Sequence, residues 1–249
     1  MEFPKDHYFH FGEYSGEWIY LWGKLDTGDF FHFTDQLFSF GKNRNRIIHR
    51  SLNGKFHEEA DTWKSRIKST GGYANGKFFM RTPGLELVFE PKSKPVIHQT
   101  KMERRNYYSI PYLEGEGFLD TQKVKAKAWL DHEFSDIRKV PDWDWVSLHL
   151  NCGIYIMVWN CEAEPTCDVT VGDKTIESGF ILEGKHLFLN DLGMYLILEP
   201  VWEEKVFNPE FAIFPYSETA FNVISKGGII GYGLRERTYR KREKNERTN

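Results

Sequence analysis

The sequence predicts an all-β protein, and two observations carry the prediction. Short runs rich in β-branched and aromatic residues recur along the whole chain, and no stretch sustains a helical period. The intervals between the runs (LDTGDF, NGK, TPG, EGEG, LNCG and SKGG) contain Gly, Asn, Asp or Pro, which favour turns. This spacing is typical of sandwiches and barrels. The runs are, in chain order, Glu17–Leu25, Phe30–Phe38, Lys77–Arg81, Leu85–Glu90, Lys123–Phe134, Trp143–Leu150, Ile154–Asn160, Lys185–Leu189, Met194–Glu199 and Ile229–Glu236.

The composition excludes some classes of function. The 249 residues are enough for one large β domain or two small ones with a substantial core. Aromatic residues make up 16% of the chain, so large rings must line a core or another apolar surface. The net charge of −3 lacks the basic excess that nucleic-acid binding requires, and no nucleic-acid partner is expected.

Cysteine usage and hydropathy predict a cytoplasmic protein. The cysteines Cys152, Cys161 and Cys167 are odd in number and share no CxxC spacing, which favours buried free thiols in a reducing compartment. Residues 1–14 contain no apolar segment typical of a signal peptide. The longest apolar run, Gly153–Trp159, is too short to span a bilayer.

The two halves of the sequence share a weak internal repeat. EWIYLWGKLDTG (17–28) and DWDWVSLHLNCG (142–153) each run from an acid and a Trp through an aromatic-rich strand to a Gly-containing hairpin. Duplication is one interpretation and chance is the other. With duplication, we expect an N-terminal domain at 1–105 and a C-terminal domain at 106–238.

Residues 239–249 form a basic tail. The last fifteen residues of the chain hold seven Arg or Lys against three Glu, with almost nothing apolar after Tyr239. This composition predicts a solvated, partly disordered tail. The alternative is weak attraction to an anionic membrane surface, at about 1 kcal/mol per basic residue.

The strand KAWLDHEFSD (127–136) places two acids and a large aromatic on one face. Alternation sends Trp129, Asp131 and Glu133 to one side and leaves an apolar side with a single His. The strands 17–25 and 143–150 are similarly divided into aliphatic and aromatic sides. Two interpretations stay open: a barrel with an internal cavity for a small apolar ligand, or an aromatic-rich interface between sheets.

Asp131 is the first candidate catalytic residue, with Glu133 second and Trp129 as their aromatic neighbour. A carboxyl group beside indole rings loses solvation of its charged form, so its pKa rises. It can then stay protonated near neutral pH and act as a general acid, while aromatic faces stabilise a developing cation. These properties suit the protonation of an alkene. The alternative is a structural carboxylate that caps a turn or pairs with an Arg.

Other catalytic motifs do not occur in the sequence. It contains no GxSxG, HExxH or P-loop, and no GxGxxG that opens a helix. His7 and His10 in HYFH could form a metal pair, but no carboxylate partner is obvious, so neither a metal nor a cofactor is expected. The remaining strand histidines are interpreted as core or rim residues, namely His32, His49, His132 and His149.

Several motifs together resemble the hydroxyneurosporene synthase (carotenoid hydratase)/AttH-like family. GEWIYLWGKLDTGDFFHF is similar to the family's EWWY-x-x-G-x-L-x-x-G opening. NYYSIPYLEGEGFLDTQKVKAKAWLDHEFSD, followed by DWDWVSLHL, is similar to its central block. IIHRSLN keeps the family's His at His49, with Asn53 where an acid is usual, and GYGLRER places Glu236 in the terminal G-x-x-E element. The resemblance covers about residues 17–239.

The resemblance implies two consecutive lipocalin-like antiparallel β-barrel domains, a lipophilic unsaturated substrate and no cofactor. Asp131 corresponds to the acid proposed as proton donor in the carotenoid hydratases, with Trp129 where those enzymes carry Tyr. Asn106 and Tyr108 precede Pro111 at positions where the hydratases carry His and Trp, as in the AttH-like branch.

We therefore expect a cofactor-independent enzyme that acts on an isoprenoid or polyene substrate by acid-assisted hydration, isomerisation or cyclisation. One alternative is a non-catalytic lipocalin-like carrier of a hydrophobic small molecule. Another is a structural role, in which the acids hydrogen-bond at a seam between the barrels. The candidate substrate-binding residues are Trp18, Tyr20, His49, Tyr108, Trp143, Trp145 and His149.

Overall fold

The computed structural model is built of β-strands throughout the part of the chain that it describes. It describes residues 10, 13–38, 43–52, 55–61, 70–98, 105–136, 142–161, 164–207 and 216–238, with the backbone alone at 38, 43–49, 52, 55, 57–61, 70, 74, 207 and 216. Within these ranges we find no helix with the length and apolar character that a membrane crossing needs.

The first ten strands form one antiparallel sheet. They are β1 (Gly16–Leu25), β2 (Phe30–Phe38), β3 (Asn43–Leu52), β4 (Lys55–Asp61), β5 (Thr70–Ala74), β6 (Lys77–Thr82), β7 (Leu85–Pro91), β8 (Val96–His98), β9 (Arg105–Leu119) and β10 (Gln122–Ser135). Their order is β4-β3-β2-β1-β10-β9-β7-β6-β5, and β8 pairs with β9.

The next ten strands form a second sheet. They are β11 (Trp143–Leu150), β12 (Ile154–Cys161), β13 (Thr166–Val171), β14 (Lys174–Glu177), β15 (Phe180–Glu183), β16 (His186–Leu189), β17 (Met194–Pro200), β18 (Lys205–Phe207), β19 (Tyr216–Ser225) and β20 (Gly228–Thr238). Their order is β14-β13-β12-β11-β20-β19-β17-β16-β15, and β18 pairs with β19.

The two sheets have the same topology, offset by ten strands. Each opening strand, β1 or β11, pairs with the last strand of its own sheet, β10 or β20. The repeated sequence segments lie on these two opening strands, so the internal repeat in the sequence has a counterpart in the topology. The prediction of an all-β chain with two consecutive antiparallel barrel-type sheets is confirmed.

The division between the sheets lies later in the chain than the boundary predicted near residue 105. Residues 105–135 form β9 and β10 of the first sheet, because β10 pairs with β1 and β9 pairs with β7. A barrel-type sheet brings its last strand beside its first, here β10 beside β1. The β9–β10 hairpin therefore belongs with the strands that precede it. The chain also divides into two compact units, which follow the sheets except that parts of β12, β13 and β14 group with the first unit. The first unit comprises Met1–Lys139, Asn151–Ile156 and Val169–Ile176. The second comprises Val140–Leu150, Met157–Asp168 and Glu177–Asn249.

The core of the first sheet lies against the aliphatic side of β1. Ile19, Leu21 and Leu25 belong to one buried cluster, whereas the aromatic side of β1 points to the opposite face of the sheet because successive side chains alternate. Those aromatics therefore do not line the interior that the core cluster fills. The large rings in the cluster are Phe31, Phe33, Phe78, Phe89, Tyr108 and Phe134.

Turn residues end the strands at positions where the sequence predicted turns. Asn75 and Gly76 have φ values of 52° and 74° between β5 and β6. Positive φ at both central residues is what a two-residue type I′ hairpin requires, and Asn-Gly is its preferred sequence. The register Ala74↔Lys77 places the hairpin at the predicted NGK turn.

The cysteines are all free thiols, but they differ in exposure. Cys161 and Cys167 are buried, as predicted, whereas Cys152 is exposed in the turn that precedes β12. Burial raises the pKa of the Cys167 thiol to about 12, and the neighbouring Asp168 charge adds to the rise. A thiol of this kind is unreactive near neutral pH, which fits a packing role.

Gly117 gives a direct test of the pairing between β7 and β9. A Cβ atom at this position would lie 1.8 Å from the backbone oxygen of Glu86, so one strand would have to move. We expect Gly117→Ala to lower the free energy of unfolding by about 3 kcal/mol, at the upper end of overpacking costs. Urea unfolding measures this, with Gly227→Ala as the control because a Cβ there meets no atom within 4 Å. Equal stabilities of the two variants would contradict this pairing.

Candidate active site

The acid face is the side of the first sheet opposite the core, where β10 carries Trp129, Asp131 and Glu133. Leu130 and Phe134, which flank the two acids in sequence, belong to the core cluster, so alternation places the acids on the other side, as the sequence predicted. Asp131 and Glu133 are nevertheless each only 4% exposed. Two acids that share a buried face require partners or a neutral form.

Asp131 lies between Tyr20 of β1 and Ser109 of β9 in the antiparallel register. Directly opposed residues share a face, with Cβ atoms about 4.5–5.5 Å apart. Tyr20 is buried, and its ring packs on His32 with 4.3 Å between the ring centroids. The carboxyl group of Asp131 therefore has an aromatic neighbour on one strand and a hydroxyl on the other.

Three side chains hydrogen-bond to Asp131. The indole Nε1 of Trp129 donates to Oδ1 across 2.8 Å, the Ser109 hydroxyl donates to the same oxygen, and Tyr107 makes a further hydrogen bond. Burial outweighs these bonds, which favour the charged form, and with a small contribution from the charge of Glu133 it raises the pKa of Asp131 from 3.8 to about 7. A carboxyl group with this pKa can act as an acid near neutral pH.

Glu133 is held in an ion pair, and in this it differs from Asp131. Arg105 of β9 places Nε 2.8 Å from Oε1 and Nη2 2.9 Å from Oε2, a bidentate arrangement in which both side chains are 6% exposed. Trp18 and Tyr107 lie opposite Glu133 on the neighbouring strands. The structural alternative, a carboxylate paired with an Arg, therefore describes Glu133 rather than Asp131.

Ser109 connects Asp131 to a histidine that the sequence did not single out. His98 of β8 is partly exposed, and its Nε2 lies 2.7 Å from Ser109 Oγ. Its ring also packs on Tyr107, with 4.4 Å between centroids. Alternation in NYYSIP groups Tyr107 with Ser109 and is the signal that could have identified both. Only the pairing of the short strand β8 with β9 adds His98.

Tyr108 lies on the core face and is not brought together with Asp131. It is opposite His132 in register, and its hydroxyl lies 2.9 Å from His132 Nδ1. Its ring belongs to the core cluster of the first sheet. Of the aromatics expected to contact a substrate, Trp18 and Tyr20 do lie on the acid face, beside Glu133 and Asp131.

His132 also belongs to a cluster with Glu17 and His10. Glu17 Oε1 lies 2.8 Å from His132 Nε2 and 2.9 Å from His10 Nδ1, and the backbone N–H of His10 donates to Glu17 Oε2 across 2.7 Å. The three side chains offer ligand atoms within 4.8 Å of one another and are of types that bind Zn²⁺. In this structure hydrogen bonds join those atoms, and they tie the segment at His10 to β1 and β10.

The second sheet repeats the pairing of an indole with an acid. Trp143 Nε1 donates to Glu236 Oε1 across 3.0 Å. Trp145 lies opposite Glu236 in register, as Tyr20 lies opposite Asp131 in the first sheet. The candidate substrate-binding residues Trp143 and Trp145 therefore have an acid of their own sheet beside them, the one that the terminal sequence motif singled out.

The remaining candidates are either peripheral to these acids or outside the described residues. His149 is buried in β11, and its Nδ1 lies 3.1 Å from the hydroxyl of Tyr232. The side chain of His49, the residue His7 and the basic tail at 239–249 lie outside the described residues. Their roles stay predictions.

Comparisons with solved structures identify proteins of the same fold, although no family model and no curated protein matches the sequence. A candidate AttH from Nitrosomonas europaea superposes with a TM-score of 0.71 at 18% identity, covering 96% of each chain. Kievitone hydratase from Nectria haematococca gives 0.59 at 14% identity, over 92% of this chain and 90% of that one. CghA in complex with Sch210972 gives 0.56 at 9% identity, over 90% and 88%. This chain has the AttH-like fold. The resemblance stated from the sequence motifs is thus confirmed for the fold.

Within this AttH-like fold, three buried acids of the first sheet differ in their partners. Glu133 is paired with a guanidinium, and Glu17 is hydrogen-bonded to two imidazoles. Asp131 is surrounded by neutral donors and aromatic rings, and burial raises its pKa. Of these three groups, Asp131 has the surroundings that suit proton transfer to a substrate.

Proposed function

We propose that the protein is a cofactor-independent enzyme in which Asp131 protonates a double bond of a lipophilic, isoprenoid or polyene substrate. The observation that carries the proposal is the buried carboxyl of Asp131, which has no ion-pair partner among its described contacts and a pKa raised to about 7. A carboxyl group can donate a proton only if it carries one at the working pH. Burial of Asp131 meets that condition.

The reaction begins with transfer of the Asp131 proton to one carbon of the double bond. The neighbouring carbon becomes cationic, and Asp131 becomes a carboxylate. Attack by water, with loss of one of its protons, gives hydration. Loss of a proton from an adjacent carbon gives isomerisation, and attack by a second double bond followed by proton loss gives cyclisation. In each case the carboxylate of Asp131 can accept the released proton, so the acid is regenerated.

Besides a proton donor, the reaction requires groups that stabilise the cation and do not attack it. The aromatic side chains around Asp131 are groups of this kind. Trp129 lies beside the carboxyl group and Tyr20 opposite it. The π-face of such a ring attracts a nearby positive charge by about 0.5–2 kcal/mol, more when water is excluded. Aromatic surface also favours an apolar substrate, which agrees with a lipophilic small molecule as the partner.

The proteins of the same fold support this reaction class. One of them is named as a hydratase of kievitone, and another binds Sch210972. Both act on or bind small organic molecules, and we extend the hydratase type of chemistry to this chain because Asp131 has the properties of a proton donor. Independence of cofactors and a cytoplasmic location are further parts of the proposal.

Incorporation of solvent deuterium into a product tests the proposal. The purified protein is incubated in D₂O with an apolar extract of the organism that carries the gene, and the extract is analysed by high-resolution mass spectrometry. An acid-initiated reaction places a deuterium on carbon, because the proton of Asp131 exchanges with solvent before it is transferred. Hydration also adds the mass of water, whereas isomerisation and cyclisation do not.

Asp131→Asn is the matched control, because Asn keeps an oxygen that accepts hydrogen bonds but has no acidic proton. The expected result is no deuterated product with this variant. Equal incorporation by both proteins would assign the proton to another group. Retention of an unchanged lipid by both, with no deuterated species, would contradict the enzyme and favour a lipocalin-like carrier.

A further inference from the structure

A chain of hydrogen bonds leads from the buried carboxyl of Asp131 to an imidazole at the surface of the sheet. Ser109 Oγ donates to Asp131 Oδ1, and His98 Nε2 lies 2.7 Å from Ser109 Oγ. Ser109 is completely buried, whereas His98 is partly exposed. The residues lie on the neighbouring strands β8, β9 and β10, so the sheet pairing fixes their order.

We propose that His98 and Ser109 form a proton relay that exchanges protons between solvent and Asp131. The inference rests on the proposed function, because a relay has a purpose only if Asp131 gains and loses protons. An acid buried in this way is shielded from bulk water, and its protonation needs a path of groups that can both accept and donate. A serine hydroxyl and an imidazole are two such groups.

The relay moves two protons and leaves every other bond unchanged. The imidazolium form of His98 gives its Nε2 proton to Ser109 Oγ, while Ser109 gives its own hydroxyl proton to Oδ1 of the Asp131 carboxylate. The products are a neutral imidazole, an unchanged serine and a neutral carboxylic acid. The imidazole then takes a proton from solvent. The reverse sequence removes a proton from Asp131.

Of the other partners of Asp131, Trp129 is unsuited to this task and Tyr107 offers an alternative path. The indole of Trp129 is a donor only, so it can hold the carboxyl group in place but cannot pass a proton along. Tyr107 has a hydroxyl that bonds to Asp131 and a ring that packs on His98. Its hydroxyl is the competing path that an experiment has to separate from Ser109.

The rate at which Asp131 takes up a proton after a rapid drop in pH measures the relay without any substrate. Time-resolved infrared spectroscopy follows the carbonyl band of the protonated carboxyl group, which the difference between wild type and Asp131→Asn assigns to Asp131. We expect Ser109→Ala to slow this uptake at least about tenfold, because the link to His98 is lost. Ser109→Thr keeps the hydroxyl and is expected to restore the rate.

His98→Ala tests the outer end of the relay. Uptake is expected to slow by a similar factor and to recover when imidazole is added, whereas the equilibrium pKa of Asp131 changes little because His98 acts through Ser109. Tyr107→Phe is the matched control, since it removes a hydrogen bond to Asp131 and leaves the relay intact. His186→Ala, which removes an exposed imidazole of the second sheet, controls for the effect of added imidazole.

Unchanged uptake rates in both Ser109→Ala and His98→Ala would overturn the relay. A slow rate in Tyr107→Phe alone would assign the path to the phenol and would also overturn it. These results differ from failure of the proposed function, which would appear as a wild-type Asp131 with no carboxyl band that titrates near neutral pH. The experiment can therefore refute the relay without refuting Asp131 as the proton donor.

Discussion

Asp131→Asn is expected to lower turnover by about 10²–10⁴-fold, the usual contribution of a general acid, while binding of the lipophilic ligand is kept. The amide has nearly the shape of the carboxyl group, and its oxygen can accept the hydrogen bonds of Trp129 and Ser109. It has no acidic proton to give. Turnover assayed by mass spectrometry and ligand binding followed by tryptophan fluorescence measure the two effects separately. Activity within a few-fold of wild type would refute the assignment of Asp131.

The same substitution is expected to stabilise the protein at alkaline pH. The pKa of Asp131 is about 7 in the folded chain against an ordinary value of 3.8. The folded state therefore binds the proton more tightly, and the free energy of unfolding falls as the pH rises through this interval. Asn does not ionise, so Asp131→Asn avoids this loss, which is up to about 4 kcal/mol for three pKa units.

Urea unfolding at about pH 4 and pH 8 measures the effect of Asp131→Asn on stability. The variant and the wild type are expected to be similar at the lower pH and to diverge at the higher pH, with the variant more stable. Equal destabilisation of the variant at both values would instead support a structural carboxylate. That outcome would favour the seam hypothesis over the enzyme.

Arg105→Met is expected to lower the free energy of unfolding by about 3–5 kcal/mol, because it leaves the carboxylate of Glu133 buried without its partner. Arg105 and Glu133 are joined by two hydrogen bonds, and both side chains are 6% exposed. The double variant with Glu133→Leu removes both charges and is expected to recover most of the loss. Urea unfolding of the two single variants and the double variant gives the coupling energy.

Arg81→Met is the matched control for the buried pair. Arg81 also contacts a glutamate through two nitrogens, with Nε 2.9 Å and Nη2 3.1 Å from the carboxylate oxygens of Glu86, but the side chains are 64% and 54% exposed. An exposed pair of this kind contributes about 0–1 kcal/mol. A loss at Arg105 as small as that at Arg81 would mean that Glu133 does not depend on Arg105.

Local patterns in the sequence were sufficient to predict many of the strands and the residues that share one face of the site. The predicted strand Lys123–Phe134 corresponds to β10 at Gln122–Ser135, and Trp143–Leu150 corresponds to β11 with the same bounds. The placement of Trp129, Asp131 and Glu133 on one face follows from alternation alone. These inferences succeed because a strand's periodicity is a property of consecutive residues.

Partners from other strands could not be predicted in the same way. Either Tyr107 and Ser109 or Tyr108 and Ile110 could have joined Asp131, since a one-residue change of register moves every side chain to the other face. The sequence motifs favoured Tyr108, whereas the observed register Asp131↔Ser109 selects the other set. The positions of Arg105 and His98 beside the site depend on the same strand pairing. For this reason the sequence did not show that Glu133 is paired with an Arg and that Asp131 has no such partner among its described contacts.

Titration of the Asp131 carboxyl group is a direct test of its role as the proton donor. Carbon-13 labelling of aspartate side chains, with Asp131→Asn to assign the resonance, gives the titration curve of this carboxyl group by NMR. We expect a midpoint of about 7, raised by burial. A midpoint near the ordinary value of 3.8 would show that Asp131 carries no proton at neutral pH and would contradict its role as the acid.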